Sequence, residues 1–347
     1  MSWQARVFSF ILRQTFKRKL AAAKDVAQAR AVLNSGRFRM PDDVRATPMR
    51  QGGVAGEWVE ATAPAPDTLL YLHGGGYFAC SPRSHRAATS FYAQQGFRVC
   101  VPDYRLAPEH PFPAAVEDAE AAYASLIESG INPGRLVLSG DSAGGGLALA
   151  LLLRIRERGL PMPAAAALFS PLTDLATTGA SITANDARCA MFRGARIGIG
   201  AAFYLGGADP RTPLASPLYA SLHDLPPLLV HVGEDEVLLD DSLRLVQRAQ
   251  AAGVQVELRV WPDVPHVWQL FHRFIPEGRE SLAEASRFLL ARTAGNDERE
   301  SNLDDTVISA NDFPSPGMVL RAPVAGAGSA TNQPEPEISA GSPAWFS

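Results

Sequence analysis

The most reactive-looking arrangement in the 347-residue chain is Gly140-Asp141-Ser142-Ala143-Gly144, a serine flanked two residues away on each side by glycine. In a G-x-S-x-G turn the serine sits on a strained strand-to-helix corner, where a side chain at either flank would collide with neighbouring backbone. The corner lifts the hydroxyl above a sheet and aims the next helix's N-terminus at it. An apolar run, Leu136-Val-Leu138, enters this motif, and a small-residue stretch, Ala143-Gly-Gly-Gly-Leu-Ala-Leu-Ala150, leaves it. That context makes Ser142 a candidate nucleophile for acyl transfer.

Acyl transfer requires donors for the negative oxygen of a tetrahedral intermediate, and losing one such donor costs ~10²–10³ in rate. His73-Gly74-Gly75-Gly76 follows the apolar run Leu69-Leu-Tyr-Leu72. Glycines at this place let backbone N–H groups converge on one point. We expect the donors to be Gly74, Gly75 and Ala143, with His73 shaping the loop and taking no proton. The glycines lack the lysine and spacing of a P-loop and do not form a dinucleotide fingerprint.

A base and an acid should follow the serine in the order acid, then histidine. Downstream lie His223, His231, His266 and His272. His231 falls inside Leu228-Leu-Val-His-Val232 and belongs to a strand. His223 precedes that strand. His266 ends Trp261-Pro-Asp-Val-Pro-His266, a loop at a strand's carboxyl end where sites of open α/β sheets form, and is the expected base. His272 is expected to face outward. The acid should lie in Gly233-Glu-Asp-Glu-Val-Leu-Leu-Asp-Asp241. Asp235 is the expected residue, with Glu236, Glu234 and Asp240 open; its role is to orient and stabilise the imidazolium.

Behind these residues, short apolar runs alternate with helical stretches. Strands are expected at Trp58–Thr62, Thr68–His73, Phe97–Tyr104, Arg135–Gly140, Ala165–Ser170, Leu228–Gly233 and Val256–Trp261. Helices are expected at Ser84–Gln95, Ala114–Ser129, Ala143–Arg158, Asp240–Ala252 and Gly278–Arg292. The alternation predicts an α/β fold, a mostly parallel sheet with helices on both faces. Residues 1 to about 45 (helical and basic) and about 176–215 (rich in Gly, Ala and Thr) interrupt the pattern as a candidate helical cap. The core then spans 46–294, and residues 295–347 read as a disordered tail without periodicity. Met191, Phe192, Phe203, Tyr204 and Leu205 could line an acyl pocket or form the insert's own small core.

Composition narrows the function. Hydrophobic residues are 46% and charged residues 20%, as in globular chains, and a net charge of −4 argues against nucleic acid. Cys80, Cys100 and Cys189 are widely spaced and odd in number. They form neither a disulfide framework nor a metal cluster, and suit a reducing, cytoplasmic setting. Cys80 reads as a small apolar residue near the glycine loop. No metal or cofactor is expected. Oligomeric state is not legible. Residues 1–20 interleave Trp3, Val7, Phe8, Phe10, Ile11, Leu12 and Phe16 with Arg6, Arg13, Lys17, Arg18 and Lys19. Arg13 breaks any signal-peptide core, leaving an amphipathic helix packed on the protein or touching a membrane surface.

The motifs His73-Gly-Gly-Gly-Tyr77, Ser81-Pro-Arg-Ser-His85, Tyr104-Arg-Leu-Ala-Pro-Glu109, Gly140-Asp-Ser-Ala-Gly-Gly145 and Ser170-Pro-Leu-Thr-Asp174 span most of residues 70–272. Together they resemble the hormone-sensitive-lipase-like α/β hydrolases, the bacterial family IV esterases. The resemblance implies an eight-stranded, mainly parallel α/β-hydrolase sheet with a cap from the N-terminal helices and the 176–215 insert. It implies a Ser142–His266–Asp235 triad acting on short-to-medium acyl esters. The segment Asp235-Glu-Val-Leu-Leu-Asp-Asp241 is one residue longer between acids than the family's commoner Asp-Pro-Leu-x-Asp form. Alternatives are a lactone hydrolase with the same triad, a membrane-surface lipase for longer chains, and a non-enzymatic receptor, which the complete set of triad candidates argues against.

Overall fold

The computed structural model describes residues 2–36 and 38–293, so the expected tail at 295–347 lies outside the described residues. In chain order the helices are α1 (Trp3–Gln14), α2 (Phe16–Ala21), α3 (Val26–Leu33), α4 (Arg86–Gln94), α5 (Ala114–Glu128), α6 (Ala143–Arg158), α7 (Ser181–Ala184), α8 (Gly194–Leu205), α9 (Leu239–Ala251) and α10 (Pro276–Leu290). The strands are β1 (Val44–Gln51), β2 (Val54–Ala61), β3 (Asp67–Leu72), β4 (Phe97–Pro102), β5 (Leu136–Asp141), β6 (Ala166–Phe169), β7 (Leu228–Gly233) and β8 (Val256–Trp261).

All eight strands join one sheet in the order β1-β2-β4-β3-β5-β6-β7-β8. The β1–β2 and β2–β4 pairings are antiparallel and the rest parallel. β3, β5, β6 and β7 are buried along their whole length, because helices cover both faces and leave no side for polar alternation. Side chains then alternate between two cores. Leu70, Leu72, Leu136, Leu138 and Leu168 pack with α5, α6 and α9, whereas Leu69, Tyr71, Val137, Ala167 and Phe169 pack with α4 and α10.

One strand escaped the sequence reading. β1 carries Pro48 and alternates weakly, so its sequence carries no clear strand pattern. It is an edge strand, where a missing N–H is tolerated. It closes a hairpin through Gly52 (φ 56°) and Gly53 (φ 82°), whose paired positive φ values suit the primed turns that match strand twist.

The chain order of the sheet positions the chemistry. β4 lies on one side of β3 and β5 on the other, so the strand order reverses between β3 and β5. Leu72 pairs with Gly140, which sets the glycine loop after β3 beside the serine turn after β5. That is the crevice where open α/β sheets bind ligands. At the far side Gly233 pairs with Trp261, so the loops after β7 and β8 also emerge together.

Candidate active site

Ser142 holds φ 53° and ψ −121°, a backbone conformation a non-glycine residue occupies only when its surroundings impose it. Its N–H donates to Phe169 O at 2.8 Å, and the carbonyl of Ser142 accepts from Leu172 N at 2.9 Å. The flanking glycines are sterically obligatory. A Cβ on Gly140 would stand 2.5 Å from Gly144 O, and one on Gly144 would stand 2.0 Å from Leu72 O. α6 starts immediately after Ser142, so the amide of Ala143 has no preceding helical carbonyl to engage.

His266 is buried and lines the same cavity as Ser142. Its Nδ1 donates to Glu236 Oε2 in a short hydrogen bond, while its Nε2 has no partner among the described residues. Phe192 meets the imidazole edge-on at 5.0 Å. Glu236 is itself fully engaged: Oε1 accepts from Ser170 Oγ at 2.7 Å and from Gly233 N at 2.6 Å. Burying this carboxylate is tolerable because hydrogen bonds meet both oxygens.

The structure therefore corrects the expected acid. Asp235 does not reach His266; its carboxylate lies 3.3 Å from the exposed Arg188 guanidinium. The physical reason is a turn in which Glu236 N donates to Gly233 O at 3.2 Å while Glu234 N is held by Trp261 O at 2.8 Å. The turn leaves Asp235 at its outer corner and brings Glu236 back over the strand end. A signal was present: the acid-x-Leu-x-Asp spacing is kept without insertion when read from Glu236 through Val237, Leu238 and Leu239 to Asp240.

The glycine loop also needs a correction. Gly74 N donates to Asp141 Oδ1 at 3.1 Å and is not available to a substrate oxygen. Gly75 and Gly76 line the cavity, and their N–H groups find no acceptor among the described residues. Asp141 is a buried anchor for this loop, accepting from Tyr71 Oη at 2.7 Å and lying 3.2 Å from His85 Nε2. Burial acts to raise the Asp141 pKa, but His85 and Tyr71 outweigh it and hold the carboxyl below its ordinary value. The Asp of the serine motif and the His of Ser81-Pro-Arg-Ser-His85 thus shape the loop, a role sequence alone did not assign.

The other histidines stay out of the cavity's chemistry. His73 is buried against Tyr104, with ring centroids at 4.3 Å, and burial lowers its pKa to about 3. His231 is buried in β7 with Nδ1 2.7 Å from Ser281 Oγ. His223 is exposed beside Asp224. His272, expected to face outward, is half-buried with Nε2 3.2 Å from Ala87 O. Cys80 lines the cavity, and burial pushes its thiol up to about 12, which favours the protonated form.

A cavity of about 430 Å³ opens over Ser142. Its roof comes from Phe8, Leu12, Phe16 and Leu33 of α1–α3 and from Met191, Phe192 and Ile197 of the 176–215 segment. The insert's apolar residues follow the pocket expectation only in part, and the rest join the main core and not a small core of the insert's own. Phe192 and Met191 line the cavity, whereas Tyr204 stacks on Tyr77 at 3.7 Å and Leu205 is buried in the main core. Among the described residues no cluster of His, Cys, Asp and Glu could hold a metal ion.

A strained serine turn at a sheet switch point, a glycine loop on one side of it and an acid–histidine pair on the loops at the other side are the arrangement of an α/β hydrolase. Residues 69–270 match the family model described as alpha/beta hydrolase fold. An acetyl-hydrolase of Streptomyces hygroscopicus is 49% identical over 243 residues, covering 70% of this chain and 81% of that protein. An esterase of Acinetobacter venetianus is 37% identical over 253 residues, covering 72% and 84%. The crystal structure of an esterase from the bacterial hormone-sensitive lipase family superposes with a TM-score of 0.80 at 44% identity, covering 85% of this chain and 99% of that one. A structure of EstE5 soaked with p-nitrophenyl butyrate superposes with a TM-score of 0.81 at 41% identity, covering 85% and 100%. The chain belongs to this α/β-hydrolase family, in its bacterial hormone-sensitive-lipase branch, and is an ester hydrolase.

Proposed function

We propose that the protein is a serine carboxylesterase that cleaves short-to-medium acyl esters through an acyl-enzyme on Ser142, with His266 as base and Glu236 as the orienting acid. One observation carries the reading: His266 shares the cavity with Ser142, its Nδ1 is fixed by Glu236, and its Nε2 is left unengaged.

In this cycle Ser142 Oγ attacks the acyl carbon as His266 Nε2 takes its proton. Glu236 stabilises the imidazolium without becoming protonated. The N–H groups of Gly75, Gly76 and Ala143 receive the negative oxygen of the tetrahedral intermediate. His266 then returns the proton to the leaving alcohol, and a water molecule repeats the sequence to release the acid. The apolar roof supports acyl groups longer than acetyl, each buried methylene contributing about 0.8 kcal/mol, or roughly fourfold in kcat/KM, until the cavity is filled. The three free cysteines are consistent with work in a reducing, cytoplasmic compartment.

The test is Ser142→Ala assayed on a p-nitrophenyl ester ladder from acetate to palmitate. Loss of turnover in a variant that melts like wild type supports the nucleophile, and a wild-type optimum near butyrate to octanoate supports the chain length. Near-wild-type turnover in Ser142→Ala, or a palmitate optimum, overturns the corresponding part.

A further inference from the structure

We infer that the outer face of α1 docks the enzyme on an anionic lipid surface, with the mouth of the substrate cavity turned toward it. α1 is apolar on two sides. Inward it buries Ala5 and sends Phe8 and Leu12 to the cavity. Outward it exposes Trp3 (71% exposed), Val7, Phe10 and Ile11, whose spacing of i, i+4, i+7 and i+8 forms one stripe. The fold uses the inner face only.

Phe274 packs on α1 at the cavity. It is 67% exposed, it stacks beside Phe8 with ring centroids 6.0 Å apart, and it is also part of the cavity wall. The helix that carries the outward stripe therefore also forms part of the cavity wall, with a second exposed aromatic ring beside it. A large exposed apolar patch of this kind marks an interaction surface.

Charge selects the partner. Residues 2–24 hold six Lys or Arg and no Asp or Glu, in a chain whose net charge is −4. Arg18, Lys19 and Lys24, which follow α1 in the chain, are exposed. A tryptophan on an apolar stripe flanked by cations fits the boundary of an anionic bilayer. A second copy fits poorly, because a two-fold interface on this face would set two like-charged clusters against each other. α1 has 12 residues, and no described helix is long and apolar enough to cross a membrane, so the helix lies in the interface plane. The inference deepens the esterase reading by naming the surface from which substrate arrives, but vesicle binding does not depend on catalysis.

The full-length protein is sedimented with phosphatidylcholine vesicles and with vesicles containing 30 mol% phosphatidylglycerol. We expect binding to the anionic vesicles that weakens as salt rises, retained in Ser142→Ala. The triple variant Trp3→Gln/Phe10→Gln/Ile11→Gln should bind at least tenfold more weakly while turning over soluble p-nitrophenyl butyrate within about twofold of wild type. Each of Arg18→Gln, Lys19→Gln and Lys24→Gln should weaken anionic binding by about fivefold. No binding to either vesicle, equal binding by the triple variant, or a wild-type dimer that the triple substitution dissociates would each overturn the inference. Vesicle binding together with an inactive wild type would instead count against the esterase reading alone.

Discussion

Replacing Glu236 by glutamine keeps the volume and most of the hydrogen-bonding shape of the side chain while removing its charge, so it isolates the electrostatic role of the acid. Oε1 accepts from two donors, Ser170 Oγ and Gly233 N, and only an amide oxygen can keep both. The amide nitrogen must then face His266. An N–H donor at that place forces Nδ1 to become the acceptor and moves the ring proton to Nε2, the nitrogen that must take the proton of Ser142. In the serine-protease triad the corresponding change lowers kcat by ~10⁴ through the wrong tautomer. A loss of about 10³–10⁴, or roughly 4–5.5 kcal/mol at 1.36 kcal/mol per tenfold, is expected here. Asp235→Asn provides the control. Its side chain is 27% exposed and meets an exposed arginine, an interaction worth about 0–1 kcal/mol, so activity should stay within about threefold. The assay is kcat/KM on p-nitrophenyl butyrate with melting curves alongside. A Glu236→Gln enzyme within tenfold of wild type, or an Asp235→Asn enzyme as crippled as expected for Glu236→Gln, would refute the assignment.

Two further outcomes are expected. Gly75 has φ 119°, and a Cβ there would meet Ala79 O at 2.1 Å, so Gly75→Ala should displace the loop donors and lower kcat by ~10²–10³ with KM little changed; a purely KM effect measured by initial rates would count against the loop's role. Asp241 is buried behind the Ser170–Asp174 segment, and burial together with Asp174 pushes its carboxyl up from 3.8 to about 7. The unfolded chain loses this proton near 3.8 whereas the folded chain keeps it to about 7, so stability falls as pH rises between those values. Asp241→Asn, whose oxygen can still accept from Thr173 N and Asp174 N, should melt higher than wild type above pH 7 and show no gain near pH 4. About 2–4 °C is expected for each kcal/mol recovered, as read by calorimetry. A gain that does not grow with pH would refute the titration.

Features decided locally were legible in the sequence. The elbow around Ser142 demands its glycines through contacts within a few residues, and His266 could be reached by elimination along the chain. The central strands announced themselves because two-sided burial removes polar alternation. What escaped depended on backbone hydrogen bonds between distant segments. Glu236 rather than Asp235 faces His266 because Trp261 O pins the start of a turn after a different strand. Gly74 is withdrawn from the donor set by Asp141, a residue 67 positions away. β1 was hidden by an edge strand's freedom to carry proline and polar residues on both sides.

The way the N-terminal helices are tied down limits how the enzyme can be re-engineered. Ser2 is bound to Glu277, and Arg6 and Ser9 to Asp263, three residues before His266. Lys17 is held by the carbonyls of Asp186 and Cys189 in the insert. Arg30 reaches the carbonyls of Phe78 and Ala107 beside the glycine loop. One tether lands on α10, and the others land on the loop before His266, on the insert and on the segments beside the glycine loop. The first 35 residues are therefore not an exchangeable module: a graft from a relative with another acyl preference must bring its matching anchors, or it will detune the histidine and the glycine loop along with the pocket.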